Sequence, residues 1–451
     1  MNFPYLPHTE EDIQEMLKVI GISDLEDLFS DIPEACRLGR LLNLPPPKSE
    51  MELQDFWEKT FSHIPPPNIP SFLGAGCYRR WVPAVVDYLA NRGEFLTSYT
   101  PYQPEMSQGM LQALYEYQSA ICRLTGMEIS HSSSYDGATA TADALRMVSL
   151  INPQRHTVLI SEGVHPHIRQ VVQTYFQFLP LKFIPLPLHE GITRREHLQK
   201  FLSSDLLAII IQNPNFLGYV EEEAREVIAD VKQAGGLGIV VCEPVSLALL
   251  PSPGEIGADV AVGDGQPLGN HPSFGGPSFG FLTSKKEFLW KMPGRIIGKT
   301  VDASGSDAYV MTVQAREQHI KREKATSNLC TNQALMAVRA LIYLSLLGSE
   351  GLKKILDLSV RSAHYLYDLL LQIPGIKPLW ERTFLFEFPV KLPINPKELN
   401  KFLLERYHIV GGLDLTPYHS EWKNCWLLAC TELTRKQDIE LLIRAVKEKL
   451  L

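Results

Sequence analysis

The sequence predicts an α/β protein: a mainly parallel sheet between helical layers, followed by a smaller α+β C-terminal domain. Three observations carry this reading. Runs such as LLAIII (206–211) and LGIVV (237–241) hold no polar residue, which marks strands covered on both faces, as in a parallel sheet. Helical stretches alternate with these runs, the spacing that right-handed crossovers need. After about residue 325 the alternation gives way to a long helical stretch, which sets off a second domain. The predicted organisation is a proline-rich helical arm (1–70), a large α/β domain (71–325) and a small C-terminal domain (326–451).

The elements follow in order. In the arm, Thr9 stands before an acidic first turn and Gly21 after it, the signs of a capped helix. Two three-proline runs, 45–47 and 65–67, favour stiff extended chain. Such an arm packs over another surface and makes a poor core alone. Across 107–126, Met110, Leu111, Leu114, Tyr117, Ile121 and Leu124 recur at helical spacing and Gly126 ends the helix. A second helix begins near Asp136 and stops before Pro153. Strands are expected within 157–163, 181–188, 206–214, 236–244 and 258–265, with a helix over 220–236. A long helix near 331–347 bridges the domains. FLFEFPV (384–390) reads as an alternating strand, 399–409 as a helix, WLLAC (426–430) as a strand and 433–451 as a capped C-terminal helix.

Composition narrows the function. The 451-residue chain is 45% hydrophobic and 21% charged, with a formal net charge of -8. It has no basic stripe interleaved with aromatics, so nucleic acid is not an expected partner. No unbroken apolar run approaches the roughly 20 residues that span a bilayer, so no membrane role is expected. The N-terminus lacks a basic then apolar leader pattern, which argues against secretion. Seven cysteines without a CxxC pair suit a reduced cytoplasm, with thiols packed as small core residues. Cys77, among glycines, is also read as a packing thiol.

In a parallel sheet, ligands sit beyond the carboxyl ends of the strands. Those ends are 162–165, 213–215, 242–244 and 263–266. They carry Glu243, Asp264 and Gln266, whose acids are by themselves solvated or capping residues. His165 and His167 lack partners for a metal site and are read as packing or hydrogen-bonding rings. The loop 93–109 holds Tyr99, Tyr102, Gln103 and Glu105 among Pro101 and Pro104, which stiffen it. HSSSYDGATAT (131–141) offers hydroxyls and free N–H groups at a helix start, an anion cradle or simply an N-cap. The charge run 316–324 reads as a solvated helix face, and the polar stretch ending at Asn328 lies between the domains. No GxxxxGK[ST], GxSxG, HExxH or strand-linked GxGxxG occurs.

Three stretches carry a resemblance over nearly the whole chain: 98–109 (SYTPYQPEMSQG), 258–282 (ADVAVGDGQPLGNHPSFGGPSFGFL) and 293–337, with KREKATSNLCT within it. In this order they resemble the glycine cleavage system P-protein family, in the form divided into alpha and beta subunits, of which this chain matches the alpha, N-terminal half. The resemblance implies the type I pyridoxal-phosphate-dependent transferase fold. It also implies glycine dehydrogenase (decarboxylating) activity only with a beta subunit, in an alpha2-beta2 heterotetramer. Glycine is decarboxylated and the aminomethyl group passes to the lipoyl arm of H-protein. Aligning Gly275-Gly276-Pro277 with the turn that follows the cofactor lysine of the beta subunit puts Gln266 at the lysine position. Glu243 falls near the beta subunit's aspartate for the pyridine nitrogen. A glutamine amide cannot form a Schiff base, so pyridoxal phosphate is expected on the beta subunit and not covalently on this chain. The glycines are expected to keep the shape of a cofactor pocket. Tyr99, Tyr102, Gln103, Glu105 and Asn328 are the residues expected to complete the partner's active site. The alternatives are a self-sufficient pyridoxal-phosphate enzyme, such as an aminotransferase, and a non-catalytic scaffold subunit.

Overall fold

The computed structural model describes residue 5, residues 7–62, residue 64 and residues 69–451. The proline run at 65–67 lies outside the described residues. The chain separates into two compact units, Met1–Pro66 and Pro67–Leu451.

The first unit holds α1 (Glu10–Ile20) and α2 (Glu50–Phe61). Thr9 caps α1: its hydroxyl accepts from the Asp12 N–H, and the Asp12 carboxylate accepts from the Thr9 N–H at 2.7 Å. Gly21 closes the helix at φ 87°, where a glycine carries no Cβ penalty. Most apolar side chains of this unit stay exposed, Leu41 at 93% and Leu44 at 71% among them.

The second unit continues with helices α3 (Ala84–Ala90), α4 (Gly93–Leu96), α5 (Gln108–Thr125), α6 (Gly137–Ile151), α7 (Pro166–Phe176), α8 (Arg195–Leu198), α9 (Ala224–Gln233), α10 (Gln318–Lys321), α11 (Ala334–Leu371), α12 (Pro396–Tyr407) and α13 (Lys436–Leu450). The large sheet contains β1 (Ile129–Ser130), β2 (Thr157–Ser161), β3 (Lys182–Leu186), β4 (Leu206–Asn213), β5 (Leu237–Cys242), β6 (Val260–Asp264) and β7 (Gly280–Ser284), in the order β1-β7-β6-β5-β4-β2-β3. Strands β2 to β6 pair in parallel, and β7 runs antiparallel to both β6 and β1. Helix α6 covers one face through Ala140, Ala144, Leu145 and Val148, and α9 covers the other through Val227, Ile228 and Val231. With both faces covered, every side chain from Leu206 to Ile211 is buried.

A hairpin of β8 (Ile296–Val301) and β9 (Asp307–Thr312) leads towards α11. A four-stranded sheet follows, β10 (Lys377–Pro378), β11 (Glu387–Lys391), β13 (Cys425–Ala429) and β12 (Leu413–Asp414), in that spatial order.

Three expectations change. The helix read over 220–236 starts only at Ala224, because Glu221 is turned inward to accept from Thr193 and Asn215. The stretch 384–390 does not alternate. All seven residues are buried, and the strand begins only at Glu387. Helix α11 is long and apolar enough to cross a bilayer by length and composition, which a search for unbroken apolar runs misses. Its Ala337, Val338, Ala340 and Tyr343 lie in the core, Arg339 pairs with Asp87, and Gly348 at φ 57° breaks it in two.

Candidate functional site

A cavity of about 390 Å³ opens at the carboxyl ends of β4, β5 and β6. Helix α6 points its N-terminus at it, His165 at the start of α7 forms one wall, and Phe386 and Glu387 of the small sheet close it from the other side. This is where a parallel sheet presents ligands.

Gln266 sits one turn beyond β6 and is 5% exposed. Its amide oxygen accepts from the Tyr78 N–H at 3.0 Å, and its amide nitrogen donates to the Tyr78 and Asn270 carbonyls at 3.0 and 2.8 Å. The side chain is a strut between two loops, and no lysine lines the cavity among the described residues. Lys285 lies at the opposite end of the sheet, hydrogen-bonded to Asp259 just before β6.

The α6 N-terminus is already occupied by this chain's own acids. Asp136 is the N-cap, accepting from the Thr139 N–H at 2.8 Å. Asp264 accepts from the Gly137 N–H at 3.1 Å, the Gln266 N–H at 2.9 Å and the Ser278 hydroxyl at 2.5 Å. A Cβ on Gly137 would stand 2.7 Å from the Asp264 nitrogen, so glycine is what lets the helix meet β6 this closely. The donors that make a helix start an anion site therefore face a carboxylate. Burial raises the Asp264 pKa, with these three hydrogen bonds opposing.

Two more acids line the cavity, Glu387 buried and Glu243 nearly so. Glu387 accepts from the Ala75 N–H at 2.6 Å and the Tyr78 hydroxyl at 2.7 Å, and burial pushes its carboxyl up to about 7. Burial also raises Glu243, with Arg80 3.9 Å away as the opposing charge. The Glu243 backbone carbonyl and one carboxylate oxygen bind Ser246, and the other oxygen, Oε1, has no hydrogen-bond partner among the described residues. His165 bonds the Ala75 carbonyl at 3.0 Å and packs on Phe216, and burial lowers it to about 4.

The residues present do not fit a phosphate-bearing cofactor held through an amine. The amine is missing, and the helix start that would take a phosphate holds a carboxylate. Two glycines of the stretch 263–276 make room for the protein's own aromatic core: a Cβ on Gly265 would strike the Phe279 ring and one on Gly269 the Tyr343 side chain. Cys77 is exposed rather than packed.

The other expected site residues lie elsewhere. Tyr99, Tyr102, Gln103, Glu105 and Asn328 do not line this cavity. All five are exposed, Tyr99 at 72% and Tyr102 at 47%. One of them is anchored: the Tyr102 hydroxyl accepts from Arg295 at 3.1 Å, and Arg295 also donates to the Cys330 carbonyl and to Asn332 at 3.2 Å. The proline-rich loop and the segment that carries Asn328 are thus joined through one buried guanidinium. Asn332 and Gln333 in turn bond to Ser132 and Ser133. Arg295, Tyr78 and Glu387 escaped the sequence reading. The only signal for Glu387 is an acid inside the apolar run 384–390.

A model of the glycine cleavage system P-protein matches residues 4–446. The chain belongs to the glycine cleavage system P-protein family. A probable glycine dehydrogenase (decarboxylating) subunit 1 of Moorella thermoacetica is 44% identical over 443 residues, covering 98% of this chain and 99% of the relative. The corresponding subunit of Thermomicrobium roseum is 44% identical over 447 residues, with 98% and 99% covered. A crystal structure of glycine decarboxylase (P-protein) of the glycine cleavage system, in inhibitor-bound form, is 43% identical, with both chains covered completely and a TM-score of 0.89. The fold is shared more widely: cysteine desulfurase CsdA of Escherichia coli superposes with a TM-score of 0.65 at 14% identity, over 84% of this chain and 94% of that one. This chain therefore has the architecture of type I pyridoxal-phosphate enzymes.

Proposed function

We propose that this chain is the alpha subunit of a glycine decarboxylase of the glycine cleavage system, working only together with a beta subunit that holds pyridoxal phosphate. The assembled pair takes the carboxyl group from glycine and passes the aminomethyl group to the lipoyl arm of H-protein. The observation that carries the assignment is the pairing of full-length similarity at 43–44% identity with a Gln266 amide committed to three backbone hydrogen bonds. An amide in that place attacks no carbonyl.

On this reading the chain's contribution is the loop Tyr99–Glu105 together with Asn328. Arg295 holds Tyr102 and the 330–332 segment in one orientation, while the side chains of Tyr99, Gln103 and Glu105 stay exposed and available to a second polypeptide. Fixed polar groups at such an edge orient substrate and exclude water at little ordering cost. The exposed apolar side chains of the first unit suit a permanent interface, which buries more than about 2,000 Å². An alpha2-beta2 arrangement is the assembly proposed, in a reduced cytoplasm suited to seven free thiols.

Co-expression with the beta chain tests the proposal. Glycine–bicarbonate exchange is expected only when both polypeptides are present. Exchange by this chain alone, with a visible cofactor band trapped on one of its lysines by borohydride, overturns it in favour of a self-sufficient enzyme. A Glu105→Gln or Tyr99→Phe pair that assembles and turns over as the parent does would leave the chain a scaffold. A loss of tenfold or more, about 1.4 kcal/mol in the barrier, excludes that.

A further inference from the structure

A second cavity, of about 310 Å³, lies at the C-terminal end of α6, between Leu150, the turn at Trp290 and Lys291, and the segment 315–326. Its charged lining is entirely basic: Arg316, Lys291, Lys321 and Lys324. Arg316 is 7% exposed. Its Nη1 donates to the Met292 carbonyl, while Nε and Nη2 have no partner among the described residues. A buried guanidinium with two unmet donors is costly, and burial pulls its pKa down to about 10. Its neighbour Glu317 is the one acid that acts on it electrostatically, yet no hydrogen bond or ion pair joins the two among the described residues: one Glu317 oxygen lies 3.7 Å from His319 and the other, Oε1, has no hydrogen-bond partner. The three lysines are exposed and form no ion pair among the described residues. Charge runs on helices are normally laced with acid–base pairs. Here the bases converge on one opening instead.

We propose that this cavity is a binding site for a small organic oxyanion, a phosphate monoester or a carboxylate, whose charged head meets Arg316 and whose body lies along Leu150 and the exposed face of Trp290. The head supplies the acceptors that Nε and Nη2 lack, in the planar geometry a guanidinium favours. The lysines raise the local anion concentration at the mouth. The volume is at the low end of small-molecule sites and leaves room beyond a bare phosphate for a ring-sized body. The site is separate from the sheet-end cavity and does not depend on the function proposed above.

The test is calorimetric titration of the full chain with phenyl phosphate and with inorganic phosphate at low salt. Phenyl phosphate is expected to bind at one site per chain, about tenfold more tightly than inorganic phosphate. The surface pair Lys321→Gln/Lys324→Gln, which alters no buried group, is expected to weaken it about fivefold or more. Arg316→Met is expected to abolish it. Absence of heat up to about 10 mM phenyl phosphate, or equal binding by the double lysine variant, overturns the proposal. A carboxylate of a partner polypeptide is the other source of the same chemistry. The assembled complex is expected to bind phenyl phosphate as the free chain does. Binding to the free chain that vanishes on assembly gives the site to the partner and overturns the small-molecule reading.

Discussion

Replacing Glu387 with glutamine should make the protein more stable at alkaline pH and change little at acid pH. Glu387 is 5% exposed and its two carboxylate oxygens accept from Ala75 and Tyr78. Burial outweighs both bonds and lifts the carboxyl from 4.5 to about 7. A raised acid keeps its proton in the folded state after the unfolded chain has lost it. Between pH 4.5 and about 7 the folded state therefore binds more protons, and stability falls as pH rises. Below that window both states are protonated, and above it both are ionised, so the full loss is felt above pH 7. The gap of about 2.5 pH units, at about 1.4 kcal/mol each, amounts to about 3 kcal/mol. Glutamine keeps an oxygen for the Ala75 N–H and never ionises. The hydrogen bonds to the carboxylate are already contained in the raised pKa, so the gain above pH 7 is the same about 3 kcal/mol. Urea unfolding of parent and Glu387→Gln at pH 5, 6, 7 and 8 reads this directly. The difference between them should grow across the series. A constant difference from pH 5 to pH 8 would refute the argument that Glu387 is folded in as a neutral acid. Glu221, also lifted to about 7 by burial, leaves its own slope in both proteins and so cancels.

Three further outcomes are expected. Gln266→Lys should not give the chain a visible, borohydride-trappable band with pyridoxal phosphate, because Asp264 still fills the α6 start; a stable band would show that the lysine alone was missing. Tyr102→Phe removes one of the three acceptors of Arg295 and should lower turnover of the assembled pair about three- to tenfold with no loss of assembly; unchanged steady-state kinetics would remove Tyr102 from the site. Gly218→Ala places a Cβ 2.1 Å from the Glu387 carbonyl oxygen at φ 83° and should cost about 3 kcal/mol or more, read as a fall in thermal midpoint; a midpoint within a degree or so of the parent's would mean the loop relaxes freely.

The periodic elements were legible in the sequence because their signals are local. Helix α5 spans Gln108–Thr125 where apolar spacing put 107–126, and Asp136 caps α6 as expected. The five parallel strands lie inside the predicted runs; four of them are buried along nearly their whole length, and only edge strand β3 leaves Lys182 and Pro185 exposed. Even the absence of an amine at Gln266 is a fact of the sequence, read through family resemblance. What the sequence could not reveal is which residues meet across it. Tyr78 and Glu387 are 309 positions apart, and Tyr102 and Arg295 are 193. No local pattern encodes such pairs, because they follow from how the small sheet closes over the ends of the large one. Tertiary packing alone decided that the glycine-rich stretch admits Phe279 and Tyr343, that Asp264 turns into the helix start, and that a solvated charge run hides a buried arginine. Side-chain type and spacing are set along the chain, whereas burial, and with it charge state and available volume, is set only when distant segments exclude water together.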